Sequence, residues 1–424
     1  MNKVNCFKII KDLFHVNRSL TGKGNLKTLR YIKKIVPKLK IKHFNTGERY
    51  YDWTIPKEWN VKDAYIEDLK GKKVIDFKKN NLHLVGYSEP IKKILKKKEL
   101  LKHLHSLKNN KKAIPYVTSY FNKYWGFCLT HEQKVKLKDE KYMVNIDSKF
   151  TNGKMHYGEL IHKGKSDKEI LISTYICHPS MANNELSGVS VTTKLAEWIC
   201  SKRRKFTYRF IFVPETIGTI AYIKKNYKRI MKKTIGGYVV TCVGDSGNFS
   251  YMPSRLGNSI SDRVIRYVFK NKNKKFNEYS FNDRGSQERQ LCSPLLDLPI
   301  ASIMRSKYGT FKEYHTSDDN LKFVNNKNLN ESLNVYKSIL TFFEDNKISI
   351  ATQFCEPMFS KRKIYPTLSF GRASTNVKNF RNIIAYSDGK TFLFEIAKKI
   401  KIKINKAKNV AKFLERKNLI KYLN

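Results

Sequence analysis

The chain has 424 residues, and 41% of them are hydrophobic, which is enough apolar material for a sizeable core and for two or three domains. This composition excludes a disordered tail, and no apolar run reaches the roughly 18 residues that a membrane-spanning helix needs. The formal charge of +48 comes mainly from Lys spread along the whole chain, which favours a compositional origin over a clustered surface for nucleic acid.

The cysteines and the N-terminus indicate the cellular compartment. Seven cysteines are scattered without a CxxC pair, and an odd number of isolated thiols is typical of a reducing compartment. Near the N-terminus, Lys8, Lys11 and Asp12 interrupt the apolar residues, a pattern of an amphipathic helix and not of a signal peptide. The sequence therefore predicts a cytoplasmic protein, with export by a non-standard route left open.

The predicted elements divide the chain into a core and an insert. Residues 5–40 have the three-and-four spacing of helices, with a Gly-rich break at TGKGN. Residues 46–165 contain short β-branched and aromatic segments bounded by turn residues, which predicts a β-rich inserted domain. Strands and helices alternate further on, which predicts a mostly parallel α/β sheet with helices on both faces. The predicted core therefore combines 1–45 with 166–355.

The last segment, residues 360–424, is very basic and has the helix, turn, helix spacing of a winged-helix module. Such modules often insert their second helix into the major groove of DNA. That helix contains a single arginine, Arg416, so nucleic-acid binding is left open but is not favoured. The alternatives are a protein docking unit or a cap on the core.

Polar side chains stand where three predicted core strands end. The strand EILISTYIC is followed by His178, YRFIFVP by Glu215, and IGGYVVTCVG by Asp245. Ligands of such sheets collect at the carboxyl ends of the strands. A neutral imidazole suits zinc, and a partly buried glutamate has the raised pKa of a general base. Each residue alone also fits a structural role, so only the combination is informative.

Two later stretches add candidates. FNDRGSQERQLCSP contains Glu288, Arg284 and Arg289, and a guanidinium beside an acid can bind a substrate carboxylate, although a surface salt bridge is the commoner cause. KYGTFKEYHTSDDN places Tyr314 and His315 before a polar turn. Two histidines and several carboxylates on one α/β pattern are more specific than any single member.

The phrases CHPSMANNELSG, FVPETIG, TCVGD, ERQLCSP and EYHTSDDN resemble a bacterial family described as aminopeptidase-like proteins associated with polysaccharide biosynthesis. Their order is also similar to that of the zinc-dependent aminopeptidases of the bacterial leucyl aminopeptidase type. The resemblance covers nearly the whole chain. It implies a zinc-exopeptidase-like core, split by a small β-rich insert and followed by a winged-helix-like domain.

The motifs depart from those of the zinc aminopeptidases at three positions. Asn184 stands where those enzymes have an Asp that bridges two metals, and a neutral amide is a poor bridge between zinc ions. Thr216 replaces the second of two adjacent Glu residues, and Thr241 replaces an Asp ligand. His178 and His315 match directly. The resemblance therefore implies one zinc per chain.

The implied function is a metal-dependent hydrolase of amide bonds, acting at a peptide terminus or on an amino sugar destined for a surface polysaccharide. The implied site consists of metal ligands His178 and His315 with Glu185 or Asp245, acid–base residues Glu215 and Glu288, and substrate contacts Asn184, Arg284, Arg289 and Tyr314. Two alternatives stay open, a degenerate hydrolase fold that only binds, and nucleic-acid or protein binding through the winged helix. The sequence predicts no oligomeric state.

Overall fold

The computed structural model describes residues 4–272, 275–364 and 375–423. The chain divides into two compact units, the first made of 1–203 and 207–337 and the second of 204–206 and 338–424. None of the helices in the described ranges is long and apolar enough to cross a membrane. The first unit contains every residue that the sequence proposed for the site.

Two helices and an edge strand open the first unit, and these are α1 (Cys6–Leu13), α2 (Lys23–Ile35) and β1 (Lys40–Asn45). The helices bury their apolar stripes, including Ile9 and Ile32. The tight loop between them depends on Gly22, which has φ +95°, and a Cβ at this position would lie only 2.4 Å from the carbonyl oxygen of Trp59. Only glycine fits there.

The insert consists mainly of strands, and its apolar residues share one hydrophobic cluster with those of the core. Its elements are β2 (Arg49–Tyr50), β3 (Trp53–Thr54), β4 (Glu58–Glu67), β5 (Lys73–Asp76), β6 (Ile91–Lys96), α3 (Lys97–Leu100), β7 (Leu104–His105), β8 (Phe127–Cys128), α4 (His131–Val135) and β9 (Lys141–Thr151). Its main sheet has the antiparallel order β5-β4-β9-β6. Alternate residues of β9, including Tyr142, Val144 and Ile146, are buried, as expected for a sheet with one covered face.

Strands and helices alternate through the rest of the first unit, and the last of these helices also includes residues 338–345 of the second unit. The elements are β10 (Lys154–His162), β11 (Glu169–Tyr175), α5 (Gly188–Cys200), β12 (Thr207–Val213), α6 (Ile217–Lys233), β13 (Thr234–Val240), β14 (Phe249–Met252), α7 (Ile260–Asn271), β15 (Phe276–Glu278), α8 (Glu288–Leu291), β16 (Ile300–Met304) and α9 (Asn326–Asp345). Within the described residues these strands and β1 form one sheet, in the order β1-β10-β12-β11-β13-β16-β14-β15.

The centre of this sheet, β12-β11-β13-β16, is parallel, while β1, β10 and β14 pair antiparallel towards its edges. Every residue of β11 and of β12 is buried, which explains why both strands are nearly continuous apolar runs. The predicted mostly parallel α/β fold is confirmed. Strand β10 lies in the range predicted for the insert but pairs in the large sheet.

One charged residue interrupts the apolar run of β12. Arg209 is buried and donates hydrogen bonds to Glu159, to Glu169 and to the hydroxyl of Tyr222. Its Nε lies 2.7 Å from an oxygen of Glu169. A buried cation needs such complete pairing because the desolvation of a charge costs several kcal/mol, of order 5. The cluster therefore ties β10, β11 and β12 together.

The second unit is small. Its elements are β17 (Ile348–Ala351), α10 (Thr375–Ala385), β18 (Asp388–Phe392), α11 (Leu393–Lys399), α12 (Ile404–Arg416) and β19 (Ile420–Tyr422). The strands form an antiparallel sheet of order β18-β17-β19, and Ile396, Ala411 and Leu414 lie in the core. The predicted winged-helix domain is confirmed. Residues 365–374 of the predicted module lie outside the described residues.

Candidate active site

Three of the candidate residues, His178, Glu215 and His315, meet at the carboxyl ends of the central parallel strands. His178 follows β11 and Glu215 follows β12, while His315 lies in the loop after β16. Between β11 and α5, residues Ala182–Ser187 form a π-helical turn. Such turns are rare in proteins, and those that occur often lie at functional sites. The stretch ANNELS therefore has a local conformation that the sequence did not predict.

His178 is held by a carboxylate from this turn. Oε2 of Glu185 lies 3.2 Å from Nδ1 of the imidazole and also accepts a hydrogen bond from the backbone N–H of His178. Because a carboxylate accepts, Nδ1 carries a ring proton, and in the neutral imidazole Nε2 keeps its lone pair. That Nε2 lies 3.9 Å from an oxygen of Glu215. Glu185 thus orients the imidazole towards Glu215.

The second oxygen of Glu185 accepts a hydrogen bond from an arginine of the N-terminal segment. Nε of Arg18 donates to Oε1 of Glu185 at 2.6 Å and to the carbonyl oxygen of His178 at 3.1 Å. The side chains of Arg18 and Glu185 are both completely buried. Burial alone would lower the pKa of His178, but Cys177 and Glu185 outweigh it and raise this pKa well above its ordinary value, so a metal ion bound at Nε2 would have to displace a proton from it. Arg18 therefore completes an orienting group around the histidine.

Within the described residues, candidate metal-ligand atoms of Cys177, His178 and Glu185 lie within 4.8 Å of one another. This cluster is a weak metal site. Both oxygens of Glu185 are already engaged, and burial raises the pKa of the Cys177 thiol, which keeps it protonated. Sγ of Cys177 also accepts a hydrogen bond from the backbone N–H of Glu215 at 3.2 Å. The cluster is better understood as support for His178 and Glu215.

Glu215 has the environment of a general base. Its side chain is 21% exposed, and Oε1 accepts a hydrogen bond from the hydroxyl of Ser286 at 2.9 Å. Burial raises its pKa, while the nearby His178 partly opposes this rise. A carboxylate with a raised pKa accepts a proton more readily near neutral pH. This is the pKa direction that the sequence predicted.

His315 faces the same region with an unused nitrogen. Its ring stacks on Tyr314, with the ring centroids 3.9 Å apart, and lies 5.4 Å from the ring centroid of His178. Burial and the neighbouring His178 lower its pKa to about 3, so the imidazole is neutral. Its Nε2 is buried and has no hydrogen-bond partner among the described residues. Buried nitrogens are rarely left so, which points to a ligand.

These side chains open into a cavity of about 270 Å³. The insert supplies one wall of this cavity, which consists of Trp53, Tyr116, Thr118, Tyr120 and Phe121. The hydroxyls of the two tyrosines lie 2.8 Å apart and bond to each other, so they offer little to a ligand. The insert therefore covers the site with a mainly apolar wall, a role that the sequence did not predict.

The oxygens of Asn184, the residue that the resemblance compares with a bridging Asp, are already in use. Oδ1 accepts a hydrogen bond from the hydroxyl of Tyr175 at 2.6 Å, and its backbone oxygen accepts one from Thr241 at 2.5 Å. This predicted substrate contact is not among the residues that line the cavity. Only its Nδ2 lacks a partner among the described residues.

Two other predicted residues are engaged in structural hydrogen bonds. Asp245 accepts from Nδ2 of Asn183 and from the hydroxyl of Ser306, both at 2.8 Å, and it belongs to a turn. Glu288 is fully buried and accepts from the backbone N–H groups of Gly285 and Ser286 at 2.9 and 2.8 Å. Neither is among the residues that line the cavity. Glu288 positions the loop whose Ser286 holds Glu215.

The two predicted arginines differ. Arg289 is exposed and donates to the carbonyl oxygen of Ser286 at 3.2 Å and to the hydroxyl of Thr216 at 2.9 Å, which places it beside the cavity. Arg284 is exposed and lies over the ring of Phe281, 5.0 Å from its centroid. Of the two, Arg289 has the position that a substrate-binding cation would need.

Strained backbone occurs at this site. Of eleven described non-glycine residues with positive φ, four lie here, and these are Ser180 at 48°, Thr216 at 59°, Cys242 at 51° and His315 at 55°. Such conformations cost of order 1–3 kcal/mol each and persist where the surrounding structure enforces them, often at active sites. The loops are therefore fixed in place at a conformational cost.

Sequence reasoning missed three contributors. Arg18 is separated from His178 by 160 positions, and nothing distinguishes it among many basic residues. Asp319 is fully buried and accepts from the backbone N–H of Asn183 at 2.6 Å and of Asn184 at 2.8 Å. The aromatic wall lies in the insert. The run SDDN was a signal for Asp319, but in sequence it indicated only a polar turn.

Family models match most of the chain. One described as a domain of unknown function (DUF4910) matches residues 7–346, and one described as a winged helix-turn-helix matches residues 347–422. The boundary between the two matches falls at the end of α9.

Two relatives match over nearly the whole chain, and a more distant structure shares the fold. A Clostridium acetobutylicum protein, provisionally named for polysaccharide biosynthesis with an aminopeptidase-like domain, is 40% identical over 418 residues, 98% of this chain and 95% of the relative. A crystal structure from Clostridium acetobutylicum, provisionally called a peptidase, has 39% identity and a TM-score of 0.84, covering 98% of this chain and 96% of that chain. The zinc aminopeptidase of Bacillus subtilis shares the fold at 13% identity and a TM-score of 0.57, covering 80% and 94%.

Proposed function

The chain belongs to the DUF4910 family of aminopeptidase-like proteins, and we propose that it is a hydrolase of amide bonds that depends on a single zinc ion. One observation carries the proposal. Nε2 of His178, an oxygen of Glu215 and the unpartnered Nε2 of His315 belong to residues that line one cavity. Two imidazoles are ligands that zinc prefers, and the carboxylate beside them is free to act as a general base.

The spacing of the two imidazole rings agrees with one metal ion held between them. Two imidazoles on one tetrahedral zinc have ring centroids roughly 5 Å apart, given Zn–N distances of about 2 Å. The centroids of His178 and His315 are 5.4 Å apart. These histidines would hold the ion, which when bound would act as a Lewis acid and lower the pKa of water to about 7. A second ion does not fit, because the Asn184 amide and the Thr241 hydroxyl offer no charge to it.

Side chains of the protein carry out the proton transfers and hold the reacting groups in position. Glu215 takes a proton from the attacking water and later gives it to the leaving nitrogen, so that one carboxylate serves as base and then as acid. Ser286 fixes this carboxylate by a hydrogen bond of 2.9 Å. Glu185 and Arg18 keep the imidazole of His178 in one tautomer and one orientation. Each role follows from a contact of the described residues.

The cavity suggests how a substrate is held. Its aromatic wall excludes water from the scissile amide, which strengthens the electrostatic interactions inside. Arg289 lies beside the cavity, where its guanidinium would bind a carboxylate of the substrate. The proposed substrates are a terminal peptide bond or an amide on an amino sugar. The name of the Clostridium acetobutylicum relative supports the second.

The test is turnover of a panel of aminoacyl amides and N-acyl amino sugars by the zinc-loaded protein. Glu215→Gln should lower kcat by about 10³-fold or more, since removal of a general base and its charge costs at least this order. Glu132→Gln, on the exposed first turn of α4, is the matched control and should keep full activity. If no substrate is turned over, or if Glu215→Gln retains activity, a binding module with a degenerate site replaces the hydrolase.

A further inference from the structure

A second cleft, of about 590 Å³, lies beside the start of α2, away from the residues proposed for catalysis. Residues of the preceding loop and of strands β4 and β9 form its other sides. Four lysines line it, Lys23, Lys27, Lys62 and Lys149, against one described acidic residue, Asp147. The cleft therefore carries a strong local positive charge.

The helix start itself adds to this charge. The first turn of α2 contains no acidic residue, and Gly22 at its N-cap provides no side-chain cap. The amide N–H of Lys23 donates to Oδ1 of Asn60 at 2.8 Å, but the next amide groups of the turn have no partner within the helix. Lysines at the positive end of a helix dipole are unfavourable unless an anion offsets them. An anion is therefore the missing partner.

An independent observation comes from the loop before the helix. Ser19 lines the cleft and is only 4% exposed, yet its hydroxyl has no hydrogen-bond partner among the described residues. The Ser19 backbone N–H is held by Oδ1 of the buried Asn25 at 3.1 Å, which fixes this residue at the edge of the cleft. A buried hydroxyl without a partner is rare, and a bound oxyanion supplies an acceptor.

We propose that this cleft binds the phosphate group of a small phosphate ester. Lysine ammonium groups, free helix amides and a hydroxyl donor are the partners that phosphate takes. The volume is within the roughly 300–1,000 Å³ range of small-molecule sites and well above what bare phosphate fills, so the organic part of the ester has room. A sugar phosphate and a nucleotide share this chemistry.

The site is distinct from the proposed hydrolytic site but shares a loop with it. Ser19 and Thr21 line the cleft, whereas Leu20 lines the catalytic cavity and Arg18 bonds to Glu185. A ligand in the cleft would order this loop from its other side. Binding can nevertheless be measured without any turnover, so the proposal stands or falls independently of the hydrolase.

Isothermal titration calorimetry at constant ionic strength tests it, with inorganic phosphate, glucose 1-phosphate, uridine diphosphate and sulfate as probes. The cleft variant Lys23→Gln/Lys27→Gln is compared with Lys33→Gln/Lys34→Gln, which removes the same charge from exposed positions on the same helix outside the cleft. We expect an ester to bind more tightly than inorganic phosphate, with a Kd about tenfold or more weaker in the cleft variant and unchanged in the control.

A second variant, Ser19→Ala, removes the unpartnered hydroxyl and should also weaken ester binding, with a thermal unfolding midpoint close to that of the wild type. Which ester binds more tightly identifies the source of the phosphate group. Equal affinities for esters, phosphate and sulfate, or equal losses in the cleft and control variants, would show that only general charge attracts these anions. Either result would overturn the proposal.

Discussion

Two fully buried arginines of the first unit, Arg209 and Arg18, meet carboxylates, and they differ in how completely they are paired. Arg209 uses Nε and both terminal nitrogens, with Glu159, Glu169 and Tyr222 as acceptors. Arg18 uses Nε and Nη1, while its Nη2 is buried with no partner among the described residues. A complete network serves the fold, because every desolvated group is compensated. An incomplete one coincides with the candidate active site.

The surroundings of the two arginines differ in the same way. Around Arg209 lie neighbouring strands of one sheet. Around Arg18 the structure has a π-helical turn, four left-handed non-glycine residues and the unpartnered Nε2 of His315. Unsatisfied and strained groups cost free energy, and several of them together are typical of active sites. We therefore propose that Arg209 serves stability and that Arg18 serves function.

The largest effect is expected from a substitution that breaks the ion-pair cluster around Arg209. Arg209→Met leaves Glu159 and Glu169 buried without their main partner and should lower the free energy of unfolding by about 3–5 kcal/mol. Urea unfolding measures it. Lys42→Gln removes an exposed partner of Glu159 and should cost less than about 1 kcal/mol. Equal costs for the two variants would contradict the assignment of Arg209 to the fold.

Glu185→Gln tests the proposed functional role of the Arg18–Glu185 pair. The amide keeps the volume but removes the charge that pairs with Arg18 and orients His178, so zinc affinity should fall by about 10–100-fold. Competition with a chromogenic chelator measures the affinity. For folded Arg209→Met the affinity should be unchanged. A loss of the same size in both variants would mean that the two arginines do not differ in role.

Asp319 gives a pH-dependent effect on stability. Burial raises its pKa from 3.8 to about 7 in the folded protein, so between these values the folded state binds the proton more tightly than the unfolded state. The free energy of unfolding should therefore fall as pH rises through this window, with a contribution of up to about 1.4 kcal/mol per pH unit. Asp319→Asn removes this contribution. Parallel pH profiles of wild type and variant, from chemical unfolding, would refute it.

The smallest expected effect concerns the aromatic wall. Phe121 is 58% exposed and lines the cavity, so Phe121→Ala should leave stability nearly unchanged and raise KM by about three- to tenfold, with little change in kcat. Steady-state kinetics on the best substrate of the panel measures both constants. Phe354→Ala, exposed in the second unit, is the control. A large fall in kcat would instead place Phe121 in the chemistry.

The sequence predicted the fold well because apolar periodicity is local. The continuous apolar runs of β11 and β12 and the alternation with helices were sufficient for a mostly parallel sheet. The same pattern placed His178 and Glu215 correctly at the carboxyl ends of the strands. These predictions depend only on the pattern of residues that are close to one another in the chain.

Contacts between distant segments could not be predicted in this way. Glu185 and Asp245 are carboxylates that suit metals, but their hydrogen-bond partners Arg18, Asn183 and Ser306 decide their orientation. Spacing does not encode such partners. The composition of the insert indicates a β-rich domain, yet its role as a wall of the cavity depends on tertiary packing that composition cannot supply.

The central claim is a single zinc ion held by His178 and His315. Elemental analysis of zinc-equilibrated, gel-filtered protein tests it most directly, with His178→Ala/His315→Ala compared with His162→Ala, a histidine outside the cavity. We expect about one zinc per chain in the wild type and the control, and none in the double variant. Two zinc ions per wild-type chain, or equal zinc in the double variant, would contradict the account.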